Sequence, residues 1–217
     1  MDDQSGVLVM TAVEAEKEAA LRGIGPSPGY EVLLAGVGPA AAAARTAAAL
    51  AAGRYRLVVS AGIGGGFPGR ADAGALVVAS EIVAADLGAE TADGFASVDE
   101  LGFGSSRFAA DAALAPRWAE AIEAAGRPVT LGPILTVSTA TGTAETAASR
   151  AARVPGAAAE GMEGAGVAAA AALFGVPVLE LRAVSNAVGP RNRAAWKIPE
   201  ALQALEAGMA ILTEVLR

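Results

Sequence analysis

Short apolar runs alternate along the chain with longer stretches in which Ala and charged residues recur at helical spacing. Residues 7–11 (VLVMT), 31–35, 56–61 (RLVVSA), 74–84 (GALVVASEIVA), 128–137 and 176–184 are apolar with little alternation. That pattern predicts strands buried on both faces, as in a sheet covered by helices. The intervening segments predict helices starting near Ala12 and over 40–52, 110–126, 162–174 and 199–216. Gly-Val-Gly-Pro at 36–39 lets the second helix start tightly against the sheet. Residues 62–66 (GIGGG) read as a glycine-rich turn, 86–106 as a long loop, 138–143 (STATGT) as a hydroxyl-rich loop and 188–196 as an irregular segment. Strands alternating with helices, without internal repeats, give a mostly parallel sheet flanked by helices. No shift in composition marks a linker, so residues 1–217 read as one domain.

Hydrophobic residues make up 53% of the chain and aromatics only 4%, so the core must be built from Ala, Val, Leu and Ile by close backbone approach. There is no Cys and no His. Disulfides and thiolate metal sites are therefore out, and acid–base chemistry falls to carboxylates, amides or water. The net charge of −7 argues against nucleic acid and anionic membrane as partners, leaving a small molecule or another protein. Apolar runs are interrupted well before the ~20 residues of a membrane span. The acidic start MDDQSG leads directly into a strand and does not resemble a signal peptide, so a soluble cytoplasmic protein is expected.

Chemistry-bearing residues gather near predicted strand ends, where ligands of such sheets collect. Glu14, Glu16 and Glu18 follow the first strand; at their spacing at most one or two can point inward, and the others are solvated first-turn charges. The glycines at 62–66 lack the Lys-Ser/Thr ending of a phosphate loop and suit a turn against which a sugar or base can lie. Glu81 is a candidate buried carboxylate. The most concentrated stretch is 157–193, which puts Met162-Glu163 at the mouth of a small-residue helix and Ser185-Asn186 at the end of the next strand.

TAVEAE (11–16), AGVGPAAAAA (35–44), SAGIGGG (60–66), GMEGAGVA (161–168) and LRAVSNAVG (181–189) resemble, in order and spacing, the motifs of the nucleoside phosphorylase and nucleosidase superfamily. The resemblance spans nearly the whole chain. Within the superfamily the motifs are most similar to the futalosine-cleaving nucleosidases of the route to menaquinone, and next to the methylthioadenosine/S-adenosylhomocysteine nucleosidases. The resemblance implies a three-layer α/β/α sandwich, nucleoside phosphorylase-like, with a mixed, mostly parallel central sheet. It implies hydrolysis of an N-glycosidic bond through a ribosyl cation-like transition state, with no metal and no cofactor, in a homo-oligomer of two or more subunits.

By the same resemblance Glu16 holds and activates the water, Glu163 takes the ribose hydroxyls and Met162 packs on the sugar. Gly62 lies in the turn beside the substrate. Asn186 stands where the adenine-directed enzymes carry Asp, and Ile63 where they carry a supporting Ser. An amide offers both donor and acceptor and suits a 6-oxopurine such as hypoxanthine. Thr139 and Thr141 are candidates for further base contacts. Arg191, Arg193 and Trp196 are candidates for a lid over the carboxyphenyl end of futalosine, with an arginine pairing to its carboxylate. The alternatives are a methylthioadenosine/S-adenosylhomocysteine or aminodeoxyfutalosine nucleosidase, a purine nucleoside phosphorylase using Arg45, and a non-catalytic nucleoside-binding protein. Retention of both Glu16 and Glu163 speaks against the last.

Overall fold

The computed structural model describes residues 6–92 and 94–217; the first five residues of the MDDQSG start, and with them its reading, lie outside that range. The first third is a βαβαβ unit. Strand β1 (Gly6–Thr11), helix α1 (Glu14–Ile24), β2 (Tyr30–Leu34), α2 (Pro39–Ala52) and β3 (Tyr55–Gly66) follow in order. β1 pairs in parallel with both β2 and β3 and so lies between them. The chain therefore steps one way to β2 and back across β1 to β3. Because such crossovers are right-handed, the reversal sends α1 and α2 to opposite faces of the sheet. It also opens a crevice at the carboxyl ends of β1 and β3.

The remaining strands are β4 (Leu76–Ala84), the hairpin β5 (Gly88–Thr91) and β6 (Gly94–Ser97), β7 (Arg107–Ala109), β8 (Val129–Thr136), β9 (Ala159–Gly161) and β10 (Val178–Ala187). Between them lie α3 (Leu114–Ala124), α4 (Ala144–Arg153) and α5 (Gly164–Phe174), and α6 (Ile198–Val215) closes the chain. The main sheet has eight strands in the order β10-β4-β8-β9-β3-β1-β2, with β7 on β4. β10 also pairs with β3, so β3, β10, β4, β8 and β9 close into a ring. Parallel pairs predominate, with antiparallel contacts at β10–β4, β3–β9 and β4–β7.

Packing follows the small-residue composition. α1 and α6 pack together, with Gly23 so close to the Glu206 carbonyl that a Cβ would collide with it. α2 and α5 meet in the same way at Gly166 and the Pro39 carbonyl. Trp118 on α3 is fully buried and donates its indole N–H to the Gly208 carbonyl at 3.0 Å.

Four local expectations need correction. The glycines at 62–66 are not a turn: β3 runs through them, paired with β10 along 58–66 and with β9 at its end. Pairing with β10, joined by β9 at Gly65 and Gly66, supplies the order that glycine itself does not favour. Residues 86–106 are not all loop, since they contain the β5–β6 hairpin. Helix α4 and strand β9 occupy residues for which the hydrophobic pattern predicts no element. Glu81 is only partly buried and forms an ion pair with Arg107 at 2.6 Å, because its strand is flanked there by short β7.

Candidate active site

A cleft of about 280 Å³ opens at the carboxyl ends of β1, β3 and β10 and is roofed by the segment after β10. Glu16, Glu163 and Asn186, which lie far apart in the chain, all line it. Of the three early glutamates only Glu16 turns inward; it is 3% exposed. The reason is local. Val13 precedes α1 and has no side chain able to cap it, so the backbone entering the helix takes its acceptor from within the first turn. The Glu16 carboxylate folds back and accepts from Ala12 N at 2.9 Å and Val13 N at 3.3 Å. Its other oxygen accepts from Ile63 N on β3 at 2.9 Å. Burial pushes its pKa above the ordinary 4.5; the guanidinium of Arg182 and the peptide N–H groups oppose this, and nearby Glu163 adds to it.

Glu163 precedes α5 and accepts from Gly38 N at 3.3 Å, Met162 N at 3.3 Å and Arg182 Nη1 at 3.0 Å. The close approach of α2 and α5 is what brings Gly38 within reach. Arg182, on β10, is the hub. Its Nε donates to Glu180 Oε1 at 2.8 Å, and its Nη atoms to the Ile63 carbonyl at 3.3 Å and Ser60 Oγ at 3.2 Å. Burial opposes its charge, but Glu180, Glu163 and Glu16 outweigh this and hold the guanidinium above its usual range. Burial likewise raises Glu180, against the pull of Arg182.

The glycines make room for this cluster. A Cβ on Gly62 would sit 2.7 Å from Glu16 Oε1 and 2.8 Å from Arg182 Nη1, and one on Gly161 would sit 2.9 Å from the Arg182 guanidinium. Gly62 thus backs the carboxylate; it is not part of the cleft wall.

At the other side of the cleft, Asn186 Nδ2 donates to the Ala187 carbonyl at 2.9 Å, and Oδ1 lies 2.8 Å from Ser185 Oγ. The carbonyl can only accept, so it decides which way the amide faces. One N–H of Asn186 is left for a ligand. Thr141 is buried and lines the cleft, but its hydroxyl is engaged by Glu160 and Arg150. Thr139 is exposed and lies outside the cleft wall, with its carbonyl turned to Arg150 at 3.2 Å. This corrects the expectation of a base contact there; the loop folds inward only at 140–141. Met162, Arg191 and Trp196 line the cleft, whereas Arg193 does not. Both guanidinium groups lie over the Trp196 ring, at 5.3 Å for Arg191 and 5.7 Å for Arg193. Arg45 is exposed, donates to the Leu34 carbonyl at 3.4 Å and stays outside the cleft wall.

Sequence reasoning missed Arg182, Glu180, Glu160 and Arg150. A signal existed for the first two. In LELRAV two opposite charges sit at alternate positions of an otherwise apolar strand, and charges buried there must be paired. Glu160, between AAA and GM, carried a weaker version of that signal, and Arg150 none.

Known proteins resemble this chain in sequence and in fold. Residues 26–217 fit the sequence profile of the phosphorylase superfamily, which defines the class of the protein. The chain is 56% identical to a futalosine hydrolase of Streptomyces coelicolor, covering 97% of this chain and 96% of that one. It is 44% identical to a futalosine hydrolase of Acidothermus cellulolyticus, covering 94% and 89%. Within the superfamily, it belongs to the futalosine hydrolase family. The fold is that of the futalosine hydrolase of Helicobacter pylori, with a TM-score of 0.83 over 97% of both chains at 18% identity.

Proposed function

We propose that the protein hydrolyses the N-glycosidic bond of futalosine, releasing hypoxanthine and dehypoxanthine futalosine. The observation that carries this reading is that one cleft holds the buried carboxylates of Glu16 and Glu163 opposite an amide, Asn186, with one donor left free. The identity to futalosine hydrolases over nearly the full chain supports the substrate.

The chemistry follows from the side chains. As the bond between C1′ and purine N9 lengthens, positive charge grows on the ribose and negative charge on the base. Glu163, held by Arg182 and two peptide N–H groups, accepts hydrogen bonds from the ribose hydroxyls, and Met162 packs on the sugar. Glu16 orients a water toward C1′ and takes its proton as the new C–O bond forms. The electron pair of the broken bond leaves with the base. Asn186 steadies it by donating to N7, and the base takes its proton from water, since an amide has none to give at neutral pH. Arg191 and Trp196 receive the carboxyphenyl end.

Four nucleosides separate the readings: futalosine, aminodeoxyfutalosine, inosine and methylthioadenosine, assayed by base release in phosphate-free buffer. Futalosine should be cleaved with the highest kcat/KM, and added phosphate should not stimulate. A phosphate requirement, or a preference for methylthioadenosine, would overturn the proposal. A hydrolase is favoured over a phosphorylase because Arg45, on α2, donates to the Leu34 carbonyl and does not line the cleft, and Arg182 is consumed by carboxylates. Arg191→Ala should lower kcat/KM for futalosine about tenfold relative to inosine, the order expected for a partly exposed charge-assisted contact. Arg193→Ala should change that ratio less. If neither substitution moves it, the contact with the carboxylate is wrong.

A further inference from the structure

We infer that Glu160 reads the N1 edge of the purine and makes the cleft selective for 6-oxopurines over 6-aminopurines. The inference rests on the nucleosidase reading above. It starts from the strand register. Gly65 on β3 is paired on one side with Glu160 of β9 and on the other with Asn186 of β10. Residues facing one another on adjacent strands project to the same side of a sheet. With strands about 4.8 Å apart, Glu160 and Asn186 flank the Gly65 backbone at a separation of about 10 Å. All three residues line the cleft. Gly65 must be bare, since a Cβ would meet Val188 Cγ2 at 2.9 Å and Asn186 Nδ2 at 3.5 Å. The result is a floor of backbone with an amide at one edge and a carboxylate at the other, on which a flat base can lie.

Glu160 is built into this wall. One oxygen accepts from Thr141 N at 2.8 Å; the other takes the Thr141 hydroxyl and Arg150 Nη1, the latter at 2.9 Å. Arg150 is held in turn by the Thr139 carbonyl. Burying such a pair gains little stability over apolar packing, so its place on a cleft wall calls for another use. A carboxylate offers about four acceptor positions, and these partners take three. The Thr141 proton is already given to Glu160, so Thr141 orients the carboxylate and has no proton left for the base.

What remains is an acceptor with no donor to offer. Hypoxanthine carries a hydrogen on N1 and can donate to it. Adenine has a lone pair on N1, which would face the carboxylate without a proton between them. With Asn186 donating at the N7 side, the two edges together favour the 6-oxopurine.

The test compares futalosine with aminodeoxyfutalosine, and hypoxanthine with adenine, on the wild type and Glu160→Gln. A site built around a donor hydrogen bond rejects the analogue lacking it strongly, so the wild type should prefer futalosine by at least about 100-fold in kcat/KM. Glutamine can turn its amide N–H toward adenine N1, so Glu160→Gln should narrow that ratio by at least about tenfold, through a gain on the 6-amino substrate as well as a loss on futalosine. A general loss on both substrates with the ratio unchanged is what a merely structural residue would give, and it would overturn the inference. Should the variant fail to fold, calorimetric binding of the two free bases to the wild type decides: tighter hypoxanthine supports the inference and equal affinities overturn it. Cleavage of neither nucleoside by the wild type would sink the hydrolase reading instead, and the base-binding comparison would still judge Glu160.

Discussion

Glu16→Gln is expected to lower kcat by about 10²–10⁴-fold, the range that a lost general base costs. Glutamine keeps an acceptor for the Ile63 N–H and nearly the same volume, so the fold and the binding of substrate should survive. What disappears is the group that takes the proton from water. The wild type should also show where that group titrates. Burial holds the Glu16 carboxyl above its ordinary 4.5. Only the ionised form can accept a proton, so kcat/KM must fall as pH is lowered through this raised value. The acid limb should therefore lie above 4.5, and Glu16→Gln should abolish it together with the activity. Rates between pH 4 and 9, with binding of a non-hydrolysed nucleoside measured in parallel, supply the check. A variant that keeps its rate would remove Glu16 from the reaction.

Arg182→Met should destabilise the protein by about 3–5 kcal/mol, the loss seen when one partner of a buried charge cluster is deleted. The methionine fills much of the stem volume but leaves Glu180, Glu163 and Glu16 without their common cation. Glu180 is most affected: it is fully buried, and its second oxygen already has no hydrogen-bond partner. The sign of the pH dependence follows from the direction of the shifts. Carboxyls whose folded-state pKa is raised above the unfolded value contribute stability below the unfolded pKa and lose it as pH rises through the folded one. With Arg182 gone these values rise further. The deficit of the variant relative to wild type should thus be smaller at pH 5 than at pH 8. Urea unfolding at the two pH values measures this, and adding Glu180→Gln should return part of the lost stability. A deficit that does not depend on pH would mean that the arginine acts through packing alone.

How much of this was legible beforehand depended on whether a residue's neighbours in sequence are its neighbours in space. β1 declares itself because a strand covered on both sides needs apolar residues throughout, and β2 and β10 do so through their runs of Val and Leu. α2 and α5 do so because their alanines and glycines permit close contact. The placement of Glu163 and Asn186 at one cleft was readable from the motifs, and so was the inward turn of one of three early glutamates. The motifs also pointed to Glu16 among them; its hydrogen bond from the Ile63 N–H, on another strand, was not readable. β3 was obscured by the same glycines that serve the site: their lack of side chains suggests a turn, yet in the fold it provides space for Glu16, Arg182 and the floor at Gly65. Thr139 and Thr141 looked equivalent. A single inward bend separates them, set by Glu160 and Arg150 on elements the pattern did not predict.

The ring formed by β3, β10, β4, β8 and β9 also bears on how this chain meets others in a crowded solution. A strand with an unpaired side is a template on which another polypeptide can add, and such templates seed aggregates. β9 pairs with both β8 and β3, and β10 pairs with β3 over 178–187 and with β4 at 181–183, so each is paired on both sides over part of its length. Among the described strands of the main sheet, the open sides belong to β2 and to three-residue β7, both outside the ring. The pairing that builds the cleft thus also leaves the strands bearing Glu160 and Arg182 poor templates for a foreign strand.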